Sequence, residues 1–164
     1  MLAAQAIAER VKSKLGEIQP RNEYSSSWND VAISGDLANL LGSEGAKPPL
    51  ERIAVHKVTE KNGAPVQADP SSRVLVLGDS HTLVFHEFLA ESAGLVDQLA
   101  DELEFAPDLI GTRGSGATAV RISLYRRAKS DPSFLSKKKI VIWCFASREF
   151  TEADQGWVPQ PIAP

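Results

Sequence analysis

The spacing of apolar residues at the start of the chain predicts an amphipathic helix. These residues recur every three or four positions and form one face, made of Ala4, Ile7, Ala8, Val11, Leu15 and Ile18. No Ser, Thr, Asp or Asn precedes the helix to cap its free amides, and Pro20 is expected to end it. An uncapped helix at this point is typical of a segment that something once preceded.

Continuous apolar runs later in the chain predict buried strands. They cover residues 74–77 and 140–145, and a shorter candidate covers 108–112. Helical patterns fill residues 83–103, with an interruption near Gly94, and residues 117–129, with Ser115 available as a cap. Because continuously apolar strands that alternate with helices favour a parallel sheet covered on both faces, the sequence predicts an α/β layered sandwich.

The region between the first helix and residue 74 has weaker signals. Residues 21–30 are interpreted as a polar loop that holds Trp28, and residues 36–41 as a helical turn. Residues 53–59 alternate imperfectly and lead to Asn62-Gly63, so a β-hairpin insertion is expected over residues 50–70, with its return beginning at Val66. Residues 155–164 form a proline-rich tail that continues no element.

Composition narrows the class of protein. The 164 residues suit one domain, 43% of them are apolar, and the net charge is −3. A nucleic-acid-binding protein would show a concentrated basic face, and the longest basic run, residues 137–139, is interpreted as a solvated loop. The single cysteine, Cys144, excludes an internal disulfide and is expected in the core. No segment has the pattern of a membrane span or a signal peptide.

The triplet Gly78-Asp79-Ser80 is the main chemical feature. It follows a buried strand and precedes a helix, so Ser80 is either a nucleophile on a sharp turn or part of a helix cap. The lipase-type Gly-x-Ser-x-Gly pattern fails here because Thr82 stands at its last position. Ser80 and the loop of residues 113–116 both follow predicted strands, and we expect them to share one rim of the sheet.

Four segments together resemble one known family. Residues 35–42 (GDLANLLG), 61–81 (KNGAPVQADPSSRVLVLGDSH), 113–121 (RGSGATAVR) and 137–151 (KKKIVIWCFASREFT) are similar to the SGNH hydrolase-like domain of bacterial alginate O-acetyltransferases of the AlgX/AlgJ type. The resemblance implies a three-layer α/β/α SGNH-like sandwich with a mostly parallel sheet. It also implies that Ser80 is the nucleophile, with Gly78 and Asp79 completing its turn.

The resemblance further implies what the domain acts on and where. The substrates would be an exopolysaccharide and an acetyl donor, with other exopolysaccharide-assembly proteins as possible partners. The location would be the periplasm, and no cofactor or metal is implied. A metal site built from Asp79, His81, His86 and Glu87 would lack any familiar ligand spacing.

One family element is missing. Members carry an Asp-x-His block that supplies acid and base ahead of the serine block, whereas the only such triplet here, Asp79-Ser80-His81, encloses the serine itself. The chain is therefore interpreted as the C-terminal portion of a longer, partly represented domain that is nearly inactive alone. His81 is expected to diverge from Ser80, His86 to lie on a helix surface or against a loop, and His56 to be exposed.

Several further residues are candidates for the site, and for some of them two roles stay open. The amides of Ser80 and of Gly114 or Gly116 are candidates for an oxyanion hole. Arg113 either meets an anionic uronate or forms a surface salt bridge. Arg148 and Glu149 are interpreted as a structural ion pair, while Trp28 and Trp157 either stack on sugar rings or anchor local packing. An acetyl esterase and a non-catalytic polysaccharide-binding or scaffold remnant stay open beside the acetyltransferase.

Overall fold

A parallel three-stranded sheet forms the centre of the protein. The computed structural model describes residues 1–16, 22–34, 49–114, 116–151 and 157–161. The elements, in chain order, are α1 (Leu2–Leu15), β1 (Tyr24–Ile33), β2 (Glu51–Glu60), β3 (Val74–Gly78), α2 (Ser80–Glu87), α3 (Leu95–Leu103), β4 (Asp108–Gly111), α4 (Ala117–Ser130), α5 (Phe134–Lys137), β5 (Ile140–Cys144) and α6 (Arg148–Thr151). The sheet order is β4-β3-β5, with both pairings parallel.

Helices cover both faces of this sheet. Alternate residues of β3 point in opposite directions. Val74 and Val76 pack with α1 and α3 on one face. Leu75 and Leu77 pack with α4 and α5 on the other. All five residues of β3 are buried, as its continuous apolar run predicts. The predicted three-layer α/β/α sandwich with a parallel sheet is therefore confirmed.

A second sheet lies beside α3 and corrects two predictions. The loop predicted over residues 21–30 is wrong from Tyr24 onwards, where β1 begins and pairs antiparallel with β2 along ten residues each, while residue 21 lies outside the described residues. The predicted return strand from Val66 is also wrong, since beyond the turn at residues 61–63 only an isolated bridge joins Thr59 to Pro65. Val58 and Val66 are buried against Ala100 of α3, so this sheet is held by its apolar inner side.

The helices follow the predictions in part. The first helix ends at Leu15, with Gly16 as its C-cap, and not at Pro20 as predicted. The expected helix over residues 83–103 is split into α2 and α3 by residues 88–94, where Leu89 and Ser92 adopt positive φ angles of 64° and 68°. The N-cap of α4 is Gly116, and Ser115, the predicted cap, lies outside the described residues. Pro20 and the helical turn predicted over residues 36–41 lie outside them as well. In the ranges that the structure describes, no helix is long and apolar enough to cross a membrane.

The basic run before β5 is not a solvated loop throughout. The side chain of Lys138 is only 2% exposed, and its Nζ lies 2.7 Å from Oδ2 of the buried Asp108. The same Nζ donates hydrogen bonds to the carbonyl oxygens of Pro70 and Ser72, at 2.8 and 2.7 Å. Arg127 of α4 lies 3.0 Å from the other Asp108 oxygen. Burial of Lys138 is therefore possible because its charge is paired and its donors are used.

Candidate functional site

Ser80 lies where the direction of the chain crossovers reverses. It is the first residue of α2, directly after the central strand β3. The chain leaves β3 towards the helical layer that contains α3, and it leaves the neighbouring β4 towards the layer that contains α4. In α/β sheets a crevice opens at the carboxyl ends of two such strands, and ligands bind there. The structure therefore places Ser80 at the position where this fold class carries its sites.

The hydroxyl and the backbone amide of Ser80 are both unpaired within the described residues. The side chain is half-buried. The amide stands at the N-terminal end of α2, where the helix dipole favours negative charge. The hydroxyl is therefore free to react, and the amide is free to receive a developing oxyanion.

Asp79 is the helix cap and a link between two strands. Its side chain is 1% exposed, and its Oδ1 accepts a hydrogen bond of 2.9 Å from the His81 amide. Its Oδ2 accepts a second bond of 3.2 Å from the amide of Ala146, just beyond β5. The capping role predicted for this triplet thus belongs to Asp79, and the Ser80 side chain takes no part in the cap.

The loop after β4 shares the rim with Ser80, as expected from the sequence. The amide of Thr112 donates to the Gly78 carbonyl oxygen at 3.1 Å. Gly114 adopts φ +72°, a conformation that favours glycine, while a Cβ on Gly116 would overlap the carboxylate of Glu149. The backbone of Gly114 therefore favours glycine, whereas a side chain at position 116 would require only the flexible Glu149 carboxylate to move. The amides of both glycines remain candidates for the oxyanion hole.

Arg113 forms a surface salt bridge, the second of its two predicted roles. Its Nη2 donates to Oε2 of Glu87 at 2.8 Å, and both side chains are largely exposed. Its guanidinium also lies 4.4 Å from the centroid of the Phe88 ring. These contacts hold the guanidinium beside α2, at the edge of the rim.

No histidine contacts the Ser80 hydroxyl in the part of the chain that the structure describes. His81 diverges from the serine, as expected: its side chain is 63% exposed, and its Nδ1 lies 3.4 Å from Asp79 Oδ1. The prediction that His56 is plain surface is wrong, because its Nδ1 lies 2.9 Å from Oε1 of Gln98 on α3. A base for Ser80 is thus not assembled by these contacts.

For His86 the surface alternative is wrong, because the imidazole is enclosed between two helices, while the other alternative, packing against a loop, is met at Gly94. The side chain is 11% exposed, and its Nδ1 lies 2.9 Å from Oδ1 of Asp97 on α3. Asp97 also accepts from the Gly94 amide at 2.8 Å, which caps the first turn of α3. The segment of residues 88–94 folds α3 back alongside α2 and so creates this pair.

The two partners influence each other's titration. The hydrogen bond that the His86 imidazole donates to Asp97 raises the pKa of His86 above its ordinary range, although burial opposes this effect. Burial raises the pKa of the Asp97 carboxyl, and the His86 hydrogen bond acts against it. For this coupled pair we expect an imidazolium paired with a carboxylate, since each charge then stabilises the other.

We expect a pH-dependent contribution to stability from His86. A raised pKa in the folded state adds stability that is complete below the ordinary imidazole value of 6.5 and is lost as pH rises through the raised pKa. The stability advantage of the wild type over His86→Gln should therefore shrink with rising pH, by at most about 1.4 kcal/mol per pH unit for one proton. Urea titrations between about pH 6 and 9 measure it. Parallel profiles for the two proteins would contradict this assignment, and Asp97→Asn should abolish the trend.

The end of β5 carries an aromatic cluster. The ring centroid of Trp157 lies 5.2 Å from that of Trp143, 5.6 Å from Phe145 and 5.9 Å from Phe150. Arg121 approaches the same indole, with its guanidinium carbon 5.2 Å from the ring centroid. Trp157 therefore anchors local packing, which is one of its two predicted roles; the other is stacking on a sugar ring. Trp28 instead lies on β1, 65% exposed and 5.3 Å from the His56 ring.

Two further predictions near β5 need correction. Arg148 and Glu149 form no salt bridge with each other within the described ranges, and the Glu149 carboxylate instead lies against Gly116. Cys144 lies at the end of β5 and is only half-buried, not in the core. Burial nevertheless raises the pKa of its thiol, and the nearby Asp79 charge adds to this effect. The thiol is therefore protonated at neutral pH and is a poor nucleophile.

A groove of about 550 Å³ opens next to the rim. It is bounded by Gly111 at the end of β4 and by Glu87, the partner of Arg113, while Ser80 is not among its lining residues. Its other lining residues are Pro65, Val66, Gln67, Ala68, His86, Glu91 and Leu109. In the described part of the chain, no three His, Cys, Asp or Glu side chains are grouped to hold a metal ion.

Two solved structures share this fold. The O-acetyltransferase domain of AlgJ from Pseudomonas putida matches with a TM-score of 0.58 at 17% identity, covering 86% of this chain and 46% of that one. AlgX from Pseudomonas aeruginosa matches with a TM-score of 0.55 at 16% identity, covering 85% of this chain and 32% of that one. No protein-family model and no curated protein matches the sequence.

These matches establish an AlgX/AlgJ-like fold, which confirms the SGNH-like architecture expected from the sequence. The chain spans less than half the length of either structure.

Sequence reasoning missed the tie between Asp79 and Ala146 and the buried pair of His86 and Asp97. The first joins residues 67 positions apart, and only the pairing of β3 with β5 brings them together. The second had a local signal, because Asp97 stands three residues after Gly94, where a carboxylate can cap a helix.

Proposed function

We propose that Ser80 is the nucleophile of an acetyl transfer to a polysaccharide hydroxyl. Its Oγ attacks the carbonyl carbon of an acetyl donor, a base takes the hydroxyl proton, and the donor's leaving group departs with a proton. The acceptor hydroxyl then gives its proton to the base, and its oxygen bonds to the carbonyl carbon of the acetyl-serine. The bond between that carbon and Ser80 Oγ breaks, Oγ takes the proton back, and the acetyl group stays on the sugar. In both steps the free amide of Ser80 faces the negative charge that develops on the carbonyl oxygen.

The observation that carries this proposal is the Ser80 hydroxyl at the crossover reversal, which is unpaired within the described residues. Asp79 takes the capping role, so the serine is not needed for it. Gly78 permits the tight turn, because a Cβ there would overlap the Thr82 side chain. The similarity in fold to the O-acetyltransferase domain of AlgJ supports the same class of reaction.

The proposal requires a base that the described contacts of Ser80 do not supply. A serine hydroxyl without one is a weak nucleophile at neutral pH, and losing a triad member costs on the order of 10⁴–10⁶ in rate. We therefore propose that acid and base come from a polypeptide segment outside these 164 residues. We further propose that the acceptor is an exopolysaccharide and that the reaction takes place in the periplasm. Because the described contacts give Ser80 no base, they support a second candidate function equally well: a polysaccharide-binding remnant without catalysis. An acetyl esterase would differ only in letting water reach the acetyl-serine.

The test is turnover of 4-nitrophenyl acetate, combined with peptide mapping for an acetyl group on Ser80. We compare this chain with a version extended upstream by a segment that carries Asp-x-His, each as wild type and as Ser80→Ala. The chain alone should stay near the solvent rate, and the extended form should exceed it by about 10⁴-fold or more, a gain that Ser80→Ala removes.

The matched control is Ser71→Ala, which removes an exposed hydroxyl away from the rim. It should leave the rate of the extended form unchanged. If the extended form keeps its rate without Ser80, or if both folded forms stay inactive, the serine is not the nucleophile and the binding function takes precedence. An acceptor polysaccharide that gains acetyl groups separates the transferase from the esterase.

A further inference from the structure

The free edge of the central sheet has the properties of a strand-binding surface. In the described part of the chain, β5 pairs only with β3, so its other edge presents unpaired backbone groups. Edge strands usually avoid pairing through a charge, a proline or a bulge. β5 has neither a charged residue nor a proline between Ile140 and Cys144, and Val141 near its start is 49% exposed.

A groove runs along this edge beneath α1. It has a volume of about 370 Å³, and its floor consists of Ile140, Val141 and Ile142. Its roof is α1, which contributes Ala6, Ile7, Arg10, Val11 and Lys14, and of these Ala6, Arg10 and Lys14 form a stripe at intervals of four residues. The groove is therefore lined mainly by apolar residues, and Arg10 and Lys14 are the charged residues of its roof.

The charges of the roof are available for a partner. Arg10 and Lys14 are exposed, and neither forms an ion pair within the described residues. Four residues of helix advance about 6 Å, close to the roughly 7 Å between alternate residues of a strand. Two carboxylates on one side of an added strand, two positions apart, can thus face Arg10 and Lys14 together.

We propose that the β5 edge and the α1 stripe form a docking surface for an extended acidic segment of a partner polypeptide. The segment adds to the sheet as a further strand, with acidic side chains towards α1 and β-branched apolar side chains towards Val141. Backbone hydrogen bonds supply most of the affinity, and the two charge pairs fix register and select the partner. This surface lies outside the proposed Ser80 chemistry and does not depend on it.

The probe is a fluorescein-labelled peptide of sequence EVEVEVEV, whose binding to the full chain is followed by fluorescence anisotropy. Val141→Lys places a charge on the apolar floor and should weaken binding about tenfold or more. The matched control is Leu50→Lys, which changes another exposed apolar residue, 63% exposed, outside the groove. It should leave the affinity unchanged.

A charge swap tests the roof. Arg10→Glu combined with Lys14→Glu should weaken EVEVEVEV about tenfold and make KVKVKVKV the better ligand. Lys12→Glu is the matched control, since Lys12 is exposed on the same helix but does not line this groove. Circular dichroism verifies that every variant keeps its fold.

Hydrogen exchange gives an independent readout, because the amides on the open edge of β5 should exchange more slowly when the peptide is bound. The proposal is overturned if EVEVEVEV does not bind, if Val141→Lys binds it as tightly as the wild type, or if the charge swap has no effect. It is also overturned if sedimentation shows self-association that Val141→Lys abolishes, since a second copy then occupies the edge. Loss of EVEVEVEV binding in the version extended upstream would overturn it as well, since a preceding segment of the same polypeptide then occupies the edge. None of these readouts involves acetyl transfer.

Discussion

Replacing Lys138 by methionine should lower the free energy of unfolding by about 3–5 kcal/mol, the usual cost of breaking a buried ion pair from one side. The substitution keeps much of the aliphatic side chain but removes the ammonium group beside Asp108, which is 1% exposed. Arg127 remains near the other oxygen, but it is partly exposed and cannot replace the buried charge. The carbonyls of Pro70 and Ser72 lose their donor as well. Urea unfolding followed by circular dichroism measures the loss.

Lys137→Met provides the matched control for this result. Lys137 pairs with Asp131 at 3.3 Å on the surface, so the transition midpoint should barely move. The double substitution Lys138→Met with Asp108→Asn should recover part of the loss, because it removes the uncompensated buried charge. A Lys138→Met variant as stable as Lys137→Met would show that Arg127 alone satisfies Asp108.

Replacing Asp79 by alanine should destabilise the protein by about 2–4 kcal/mol, as the sum of two losses. The cap on α2 is worth about 1 kcal/mol. The amide of Ala146 then loses a bond to a charged acceptor, which adds about 1–3 kcal/mol. Because Asp79 also fixes the turn that carries Ser80, acetyl transfer by the extended form should fall together with stability. Chemical unfolding and ester turnover measure the two effects separately.

Asp79→Ser separates the two contributions. A serine can still cap α2 through the His81 amide, but its shorter side chain cannot reach Ala146. Asp79→Ser should therefore be more stable than Asp79→Ala by about 1 kcal/mol while it remains less stable than the wild type. Equal stability of the serine and alanine variants would mean that the link to β5, and not the cap, accounts for the effect of Asp79.

The central layer of the fold follows from local sequence patterns. Residues 74–77 and 140–145 are apolar without interruption, and the structure forms the parallel strands β3 and β5 there. Burial is confirmed only for β3, because β5 ends at Cys144 and none of its residues is fully buried. A polar triplet directly after such a strand must stand at its carboxyl end, so the local pattern is enough to assign Ser80 to the rim. The first helix is equally predictable, because its apolar spacing depends only on its own residues.

The second sheet is not predictable in this way. The residues of β1 from Ser25 to Trp28 are exposed, so the strand has no apolar alternation to reveal it. Its conformation is determined by the ladder with β2, in which Trp28 stands opposite His56. Cross-strand pairing of this kind depends on a partner distant in sequence, and strand propensity alone does not indicate it.

Buried charged groups show the same limit of prediction from local sequence patterns. A local pattern assigns Lys138 and His86 to the surface, because charged or polar side chains are costly to bury without partners. Their partners, Asp108 and Asp97, lie on other elements, and only packing brings each pair together. The sequence by itself thus determined the strands of the central sheet, the main helices and the position of Ser80, since these depend on residues adjacent along the chain. The tertiary structure alone decided which carboxylates pair with Lys138, His86 and the Ala146 amide, since each of these contacts joins separate elements.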